Sequence, residues 1–529
     1  MVYTLGIDIG SSSVKVALLE VASGACAGSV TLPQAEMPID APHRGWAEQD
    51  PRMWWQYACE GIRQLMKGKP AGFVRAIGIT YQMHGLVCLD TQGEPLRKSI
   101  IWCDSRTVGQ GERALRDLGR ERCLERLLNS PGNFTASKLA WVRENEPDVF
   151  ARTDRFMLPG DYILFKLSGE RSTTCSGLSE QILWDFVADG RADFVADYYG
   201  IDPRSIPEAL PSIGIQAHVS AGAAAELGLE PGIPIAYRAG DQPNNAFSLN
   251  VMEPGEIAAT GGTSGVVYGV TDLPKADSLS RVNTFLHVNH SAQAHRYGVL
   301  LCINGTGILN AWAKRTVAPE LSYSEVNQLC ETVPAGSDGV LMHPFGNGAE
   351  RMLENRYTGA SVLHVDLNRH NRAHLLRAAQ EGIAFAFRYG VDIMRESGLR
   401  AGVIRAGHAN LFLSPLFRST LATLCDANIE LYNTDGALGA ARGAALGAGL
   451  YRNRNEAFAS LRRIEEVHPD PAIRQVLEET YQIWKKELQL QLEISKTNGA
   501  GALELVPDIG GRHPGNLHIQ SVRTGITNQ

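Results

Sequence analysis

The chain has 529 residues, 44% hydrophobic and 20% charged, enough to bury large cores in two to four domains of about 100–200 residues each. A net charge of −7 excludes a broad nucleic-acid-binding face, which requires a basic surface. No apolar run reaches the ~18 residues that span a membrane, and the first residues enter a strand without the basic and apolar stretches of a secretory signal. The expectation is therefore a cytoplasmic protein with no nucleic-acid or membrane partner. The nine cysteines are scattered without a CxxC spacing, so they are expected as buried free thiols and not as a zinc site or a disulfide framework.

In chain order, the first predicted element is a hairpin. Residues 5–19 (LGIDIGSSSVKVALL) form a β-branched run, a Gly/Ser turn and a second apolar run. An amphipathic helix is predicted over 52–66 and a strand over 74–80, with further helices over 136–143 and 161–167. A strand over 233–237 leads into RAGDQPNNAFSL (238–249), where Pro243 fits the first turn of a helix and puts Asp241 at its N-terminus. A second hairpin follows at 257–268 (IAATGGTSGVVY), with Gly262-Thr263-Ser264 standing where Gly10-Ser11-Ser12 stand in the first. A spacing of about 250 residues is too long for a solenoid repeat of ~20–50 and fits two large related domains, with a boundary near 245–256. The second half then shows a helix over 377–397, a short strand over 403–405 and a helix over 413–425. An Ala/Gly-dominated helix over 437–450 and a last helix over 472–492 close the pattern. The Gly-rich, aperiodic tail from about 496 is expected as a loose extension.

The chemistry-bearing residues lie at the ends of these elements. Asp8, closing a strand beside a turn of backbone donors, suits a divalent cation carrying phosphates. Ser11 and Ser12 belong to that turn, and Lys15 returns on the second strand to face phosphate or solvent. Asp241 either caps a helix or accepts the proton of an attacking hydroxyl, and the segment alone does not decide between these. Met83 and His84 follow a strand end, where His84 either contacts a polyol hydroxyl or is satisfied by backbone. Ala406, Gly407 and Asn410 form a small-residue stretch against which an adenine ring could lie. The Ala/Gly helix allows close packing of either another backbone or a nucleotide, and packing against another backbone is the preferred reading.

Together these segments resemble the FGGY carbohydrate kinases, and within that family the xylulokinase branch, from about residue 3 to about residue 490. The stretches that carry the resemblance are GIDIGSSSVK (6–15), WAEQDP (46–51) with Trp54 and Trp55, QMHG (82–85), IWCDSR (101–106), NFTASKL (133–139), LPGDY (158–162) and Gly240-Asp241. The resemblance implies an α/β fold of two actin/Hsp70-like (ribonuclease H-like) ATPase domains around a cleft. Residues 1–250 would form the sugar side, 251–495 the nucleotide side and 496–529 the tail.

It also implies ATP and Mg²⁺ as cofactors and phosphorylation of D-xylulose, with Asp241 as general base and Asp8 and Asp241 near the metal. Met83, His84 and Gln242 fall on the substrate side, and Ser11, Ser12, Lys15, Gly262, Thr263, Asn310, Ala406, Gly407 and Asn410 on the nucleotide side. A homodimer is the associated expectation. Three departures stand out: Gln242 where many xylulokinases have Asn, Arg405-Ala406-Gly407 in place of a glycine-rich loop, and NGAERML (347–353) in place of the usual SGERTP. Gln242 keeps open another ketose or polyol, such as ribulose or glycerol. An actin-like ATPase without a sugar acceptor is the second alternative, against which Asp241 and His84 argue.

Overall fold

A computed structural model describes residues 1–497 and contains two large twisted sheets. The strands of the first are β1 (Tyr3–Ile9), β2 (Val14–Glu20), β3 (Cys26–Leu32), β4 (Val74–Tyr81), β5 (Ile213–His218) and β6 (Pro234–Gly240), in the spatial order β5-β6-β4-β1-β2-β3. The second sheet holds β7 (Glu256–Gly261), β8 (Gly265–Thr271), β9 (Asn283–Leu286), β10 (Tyr297–Ile303), β11 (Val403–Gly407), β12 (Asn428–Tyr432) and β13 (Arg463–Val467). Their order is β9-β10-β8-β7-β11-β12-β13. In each sheet the central strand pairs antiparallel with its hairpin partner on one side and parallel with a later strand on the other (β1 with β2 and β4; β7 with β8 and β11). The fold is that of two actin/Hsp70-like domains.

The helices include α1 (Pro51–Met66), α2 (Pro159–Ser168), α3 (Asp241–Ser248), α4 (Thr306–Val317), α5 (Arg372–Glu396), α6 (Pro415–Cys425), α7 (Gly436–Gly447) and α8 (Pro471–Thr497). Helix α1 begins one residue before the predicted 52, because Asp50 accepts a hydrogen bond from the Arg52 N–H (3.0 Å) and Pro51 opens the first turn. Helix α5 begins five residues before the predicted 377, since Asn371 caps it by accepting from the Ala373 N–H at 2.9 Å. The last helix runs on to Thr497. The tail expected over 496–529 thus starts as helix and, from 498, lies outside the described residues.

Helix α7 comes from the second half of the chain but packs on the first sheet. Its Ala/Gly sequence serves close packing, as its composition suggests. Gly6 and Gly78 sit opposite one another on β1 and β4. A Cβ on Gly6 would lie 1.8 Å from the Ala437 carbonyl oxygen, and one on Gly78 would lie 2.0 Å from that of Ala440. Helix backbone therefore lies directly on sheet backbone, and neither side can yield by a rotamer change. Gly6→Ala is expected to lower stability by about 1–3 kcal/mol, as overpacking does. An unchanged unfolding midpoint would show that α7 can retreat at no cost.

Four apolar clusters organise the interior of the described residues. One lies under each sheet, a third joins residues 83–206 to strands β8–β10 of the second half, with Leu86, Phe134, Leu178 and Leu183 grouped with Tyr268, Phe285 and Leu300, and a fourth gathers Ala440 and Ala444 of α7 with Ala76, Tyr237 and Phe247. Edge strand β9 is also held by polar bonds. Asn129 donates to the Thr284 carbonyl (2.7 Å) and accepts from its N–H (3.0 Å), and the Ser179 hydroxyl accepts from the Leu286 N–H (3.0 Å). All nine cysteines are free, but Cys26, Cys103 and Cys302 are exposed, so the expectation of uniformly buried thiols fails there. Among the described residues no helix is long and apolar enough to cross a membrane.

Candidate active site

The two central hairpins and the helix heads that follow parallel strands define the site. Asp8 lies near the end of β1, opposite Lys15 on β2 and Thr80 on β4. The turn closes with the Gly10 N–H donating to the Ser13 carbonyl (3.0 Å). Within it, the Ser11 hydroxyl accepts from Trp102 Nε1 (3.4 Å), and the Ser12 carbonyl accepts from the Met37 N–H (2.8 Å). Strand β6 delivers Gly240 as the cap of α3, and Asp241 is the first residue of that helix, with Pro243 in its first turn.

A third carboxylate, which sequence reasoning missed, belongs to the same cluster. Asp435 caps α7, its Oδ1 accepting from the Leu438 N–H (3.0 Å), and its Oδ2 accepts from Lys15 Nζ at 2.7 Å. Lys15 is therefore paired with a residue 420 positions away. A Cβ on the adjacent Gly436 would stand 2.2 Å from Asp8 Oδ2, and Asn244 of α3 donates to the Gly436 carbonyl at 3.0 Å. The local signal was present as Asp-Gly ahead of an Ala-rich helix. What it could not convey is the packing of α7 across the first sheet.

The electrostatics follow from this crowding. Burial, then the charges of Asp241 and Asp435, push the Asp8 carboxyl up to about 7, with Lys15 opposing. Burial likewise raises Asp241 to about 6, against hydrogen bonds from the backbone and side chain of Gln242. Carboxylates that repel one another with one lysine nearby suit a cation. Among the described residues no three His, Cys, Asp or Glu side chains stand together as a complete metal site. Asp8 and Asp241 offer hard carboxylate oxygens, one or two of which a magnesium ion takes alongside phosphate oxygens and water.

In the second half of the chain, Gly262, Thr263, Asn310 and Asn410, all expected on the nucleotide side, line one cavity of about 460 Å³ together with Tyr323 and Asn327. The head of α4 packs on the second turn, the Gly307 N–H donating to the Gly262 carbonyl (3.0 Å) and the Ile308 N–H to that of Thr263 (3.1 Å). Ala406 does not line this cavity. Strand β11 runs two residues beyond the predicted 403–405, so Ala406 is fully buried within the sheet and Gly407 ends the strand opposite Tyr432.

On the other side, Met83 is buried and His84 sits at φ +62°, a left-handed backbone. The His84 Nδ1 bonds the Glu180 carbonyl oxygen (3.0 Å), the His84 N–H donates to Glu180 Oε1 (3.3 Å), and Lys138 Nζ donates to the His84 carbonyl (2.8 Å). Backbone satisfaction, one of the two roles open for His84, is thus met at Nδ1. Burial, reinforced by Lys138 and Arg351, lowers the imidazole to about 3, so the ring is neutral. Gln242 keeps a buried side-chain oxygen with no hydrogen-bond partner in the described structure. Glu180, Lys138 and Arg351 were not singled out in the sequence, where nothing marks a charged side chain that turns inward.

The model for the N-terminal domain of the FGGY family of carbohydrate kinases matches residues 3–248. A xylulose kinase of Bacillus subtilis is 29% identical over 468 residues, covering 86% of this chain and 90% of its own. The crystal structure of xylulose kinase from Rhodospirillum rubrum superposes with a TM-score of 0.85 at 25% identity, covering 93% of this chain and all of that one. Glycerol kinase of Plasmodium falciparum, solved with ADP, shares the fold at a TM-score of 0.82 and 20% identity, covering 93% of this chain and 98% of its own.

Proposed function

Because the chain belongs to the FGGY family of carbohydrate kinases, we propose that it transfers the γ-phosphoryl group of MgATP to the 5-hydroxyl of D-xylulose, in the cytoplasm. The observation that carries this reading is the position of Asp241. It stands at the head of α3, in one electrostatic cluster with Asp8, with the Met83–His84 segment nearby on the first half and the Gly262–Asn410 cavity on the second. The likeness to xylulose kinases over most of both chains supports the choice of sugar.

In this mechanism Asp241 accepts the proton of the 5-hydroxyl as that oxygen attacks the γ-phosphorus in line. The new O–P bond forms as the bond to the β-phosphate oxygen breaks, and ADP leaves with the electron pair. Positioning and charge neutralisation supply most of the acceleration in such transfers. Asp8 and Asp241 are the residues that would hold a Mg²⁺ ion, which would neutralise negative charge on the phosphate oxygens when bound. Residues 1–250 carry the sugar and 251–495 the nucleotide, so closure of the cleft excludes water.

The test is ADP release with MgATP against D-xylulose, D-ribulose, L-xylulose, glycerol and no sugar. D-xylulose is expected to give the highest kcat/KM, and turnover without sugar to be a small fraction of that with it. Preference for another polyol, which Gln242 and its unpartnered oxygen would favour, keeps the mechanism and changes the substrate. A rate without sugar equal to the rate at saturating sugar removes the kinase reading.

A further inference from the structure

We propose that Glu180 is a positioning residue for the sugar pocket, holding the Met83–His84 segment in register with the backbone that presents Asp241. This rests on the sugar-kinase reading above. Glu180 ends a short helix, Cys175–Glu180, and is 1% exposed. It grips His84 twice, through Oε1 on the backbone N–H and through its own carbonyl on Nδ1. A carbonyl oxygen can only accept, so Nδ1 carries the ring proton and Nε2 is left as a hydrogen-bond acceptor. This fixes what the neutral imidazole offers a sugar, namely an acceptor for a hydroxyl proton.

The grip also opposes strain. His84 occupies a left-handed conformation that costs a residue with a Cβ on the order of 1–3 kcal/mol and persists only when its surroundings enforce it. The enforcement is visible on every side. Glu180 holds the N–H, Lys138 holds the carbonyl, and Phe134 and Phe285 flank the ring at centroid distances of 5.0 and 5.4 Å. The second carboxyl oxygen reaches towards the catalytic strand. A Cβ on Gly240 would meet Met83 Cγ at 2.6 Å and Glu180 Oε2 at 2.7 Å. One side chain thus touches His84 and fills the space between Met83 and the residue that precedes Asp241. Burial, with Asp161 and Asp241 adding, holds the Glu180 carboxyl well above the usual range against the His84 hydrogen bond, so a neutral amide of the same shape is a fair replacement.

The experiment compares Glu180→Gln, which keeps shape and acceptor, with Glu180→Met, which keeps volume and loses the acceptor. Glu180→Met is expected to raise KM for the accepted sugar about tenfold, as loss of a buried hydrogen bond does, with KM for ATP unchanged, while Glu180→Gln stays within about twofold of wild type. Equal damage by Gln and Met, an unaltered sugar KM in the Met variant, or a KM for ATP that rises in step overturns the proposal. An independent readout is the tautomer of His84 in the wild-type protein by ¹⁵N NMR, assigned by its loss in His84→Gln. A neutral ring protonated at Nδ1 is expected, and protonation at Nε2 contradicts the grip. If no sugar is phosphorylated, the functional reading has failed, and the tautomer alone decides for or against the hold on His84.

Discussion

Asp241→Asn is expected to reduce sugar-dependent ADP release by about 10²–10⁴-fold, the range that a positioned general base contributes. The substitution is nearly isosteric. Asn keeps the head of α3 occupied by a side chain that the Gln242 donors can still reach, so the helix and the nucleotide cavity are expected to persist. What disappears is the proton acceptor and one of the negative charges beside Asp8. The loss should therefore fall mainly on kcat, with a smaller rise in KM for MgATP because Asp241 also helps to hold the ion. Stability gives a second, opposite signature in protein free of nucleotide and divalent ions. The Asp241 carboxyl is raised from its ordinary 3.8 to about 6 in the fold. Its contribution to stability is present below pH 3.8 and lost as pH rises through about 6. At pH 8 wild type carries the buried charge and Asn does not, so the variant is expected to melt higher there, and the advantage should vanish towards pH 4. A variant that retains turnover within threefold excludes Asp241 as the base, and one that melts lower at pH 8 shows that the carboxylate was needed for folding.

The parts of this site that the sequence discloses are those whose chemistry is local. Asp8 and the two glycine-hydroxyl turns stand out because a β-branched run must stop at a turn, and the turns' repetition predicts two large related domains. Pro243 located the head of α3, and with it Asp241, through its fixed φ and missing N–H. The gaps have one cause, which is contact across long separations. Asp435 caps α7, and only the crossing of α7 over β1 and β4 brings it to Lys15. Ala406 looked available to a nucleotide because the strand was expected to stop at 405, whereas pairing with Ala259 and Leu431 extends it through that position. Glu180 lies in a polar stretch, Ser179-Glu180-Gln181, whose three side chains are all buried, an inversion of the usual pattern that no periodicity announces. Buried polar groups of this kind are specified by their partners, and those partners come from other elements.

A buried ion pair ties the strand that leads to Asp241 to helix α2. Arg238 of β6 and Asp161 of α2 are both fully buried, with Nε and Oδ1 3.3 Å apart. Their hydrogen bonding is incomplete: Arg238 reaches the Ser172 hydroxyl (3.3 Å) and Asp161 Oδ2 accepts from the Leu158 N–H (3.3 Å), while Arg238 Nε and Nη1 and Asp161 Oδ1 lack hydrogen-bond partners. Burial lifts the Asp161 carboxyl above its usual range even though Arg238 opposes the shift, so desolvation outweighs attraction and the pair adds little net stability. Breaking it is another matter. Asp161→Ala leaves a guanidinium that cannot shed its proton in an apolar layer, at an expected cost of about 3–5 kcal/mol. Arg238→Met leaves a carboxyl that can take up a proton and become neutral, so it should cost less. The order of the melting midpoints, wild type above Arg238→Met above Asp161→Ala, tests this directly, and the reverse order would mean that packing of the arginine stem and not charge compensation holds β6 in place. The Asp161→Ala/Arg238→Met double variant should melt above Asp161→Ala alone, because it removes the stranded charge. Asp241 lies three residues beyond Arg238, so the Asp161→Ala variant is also expected to lose sugar-dependent turnover before it unfolds.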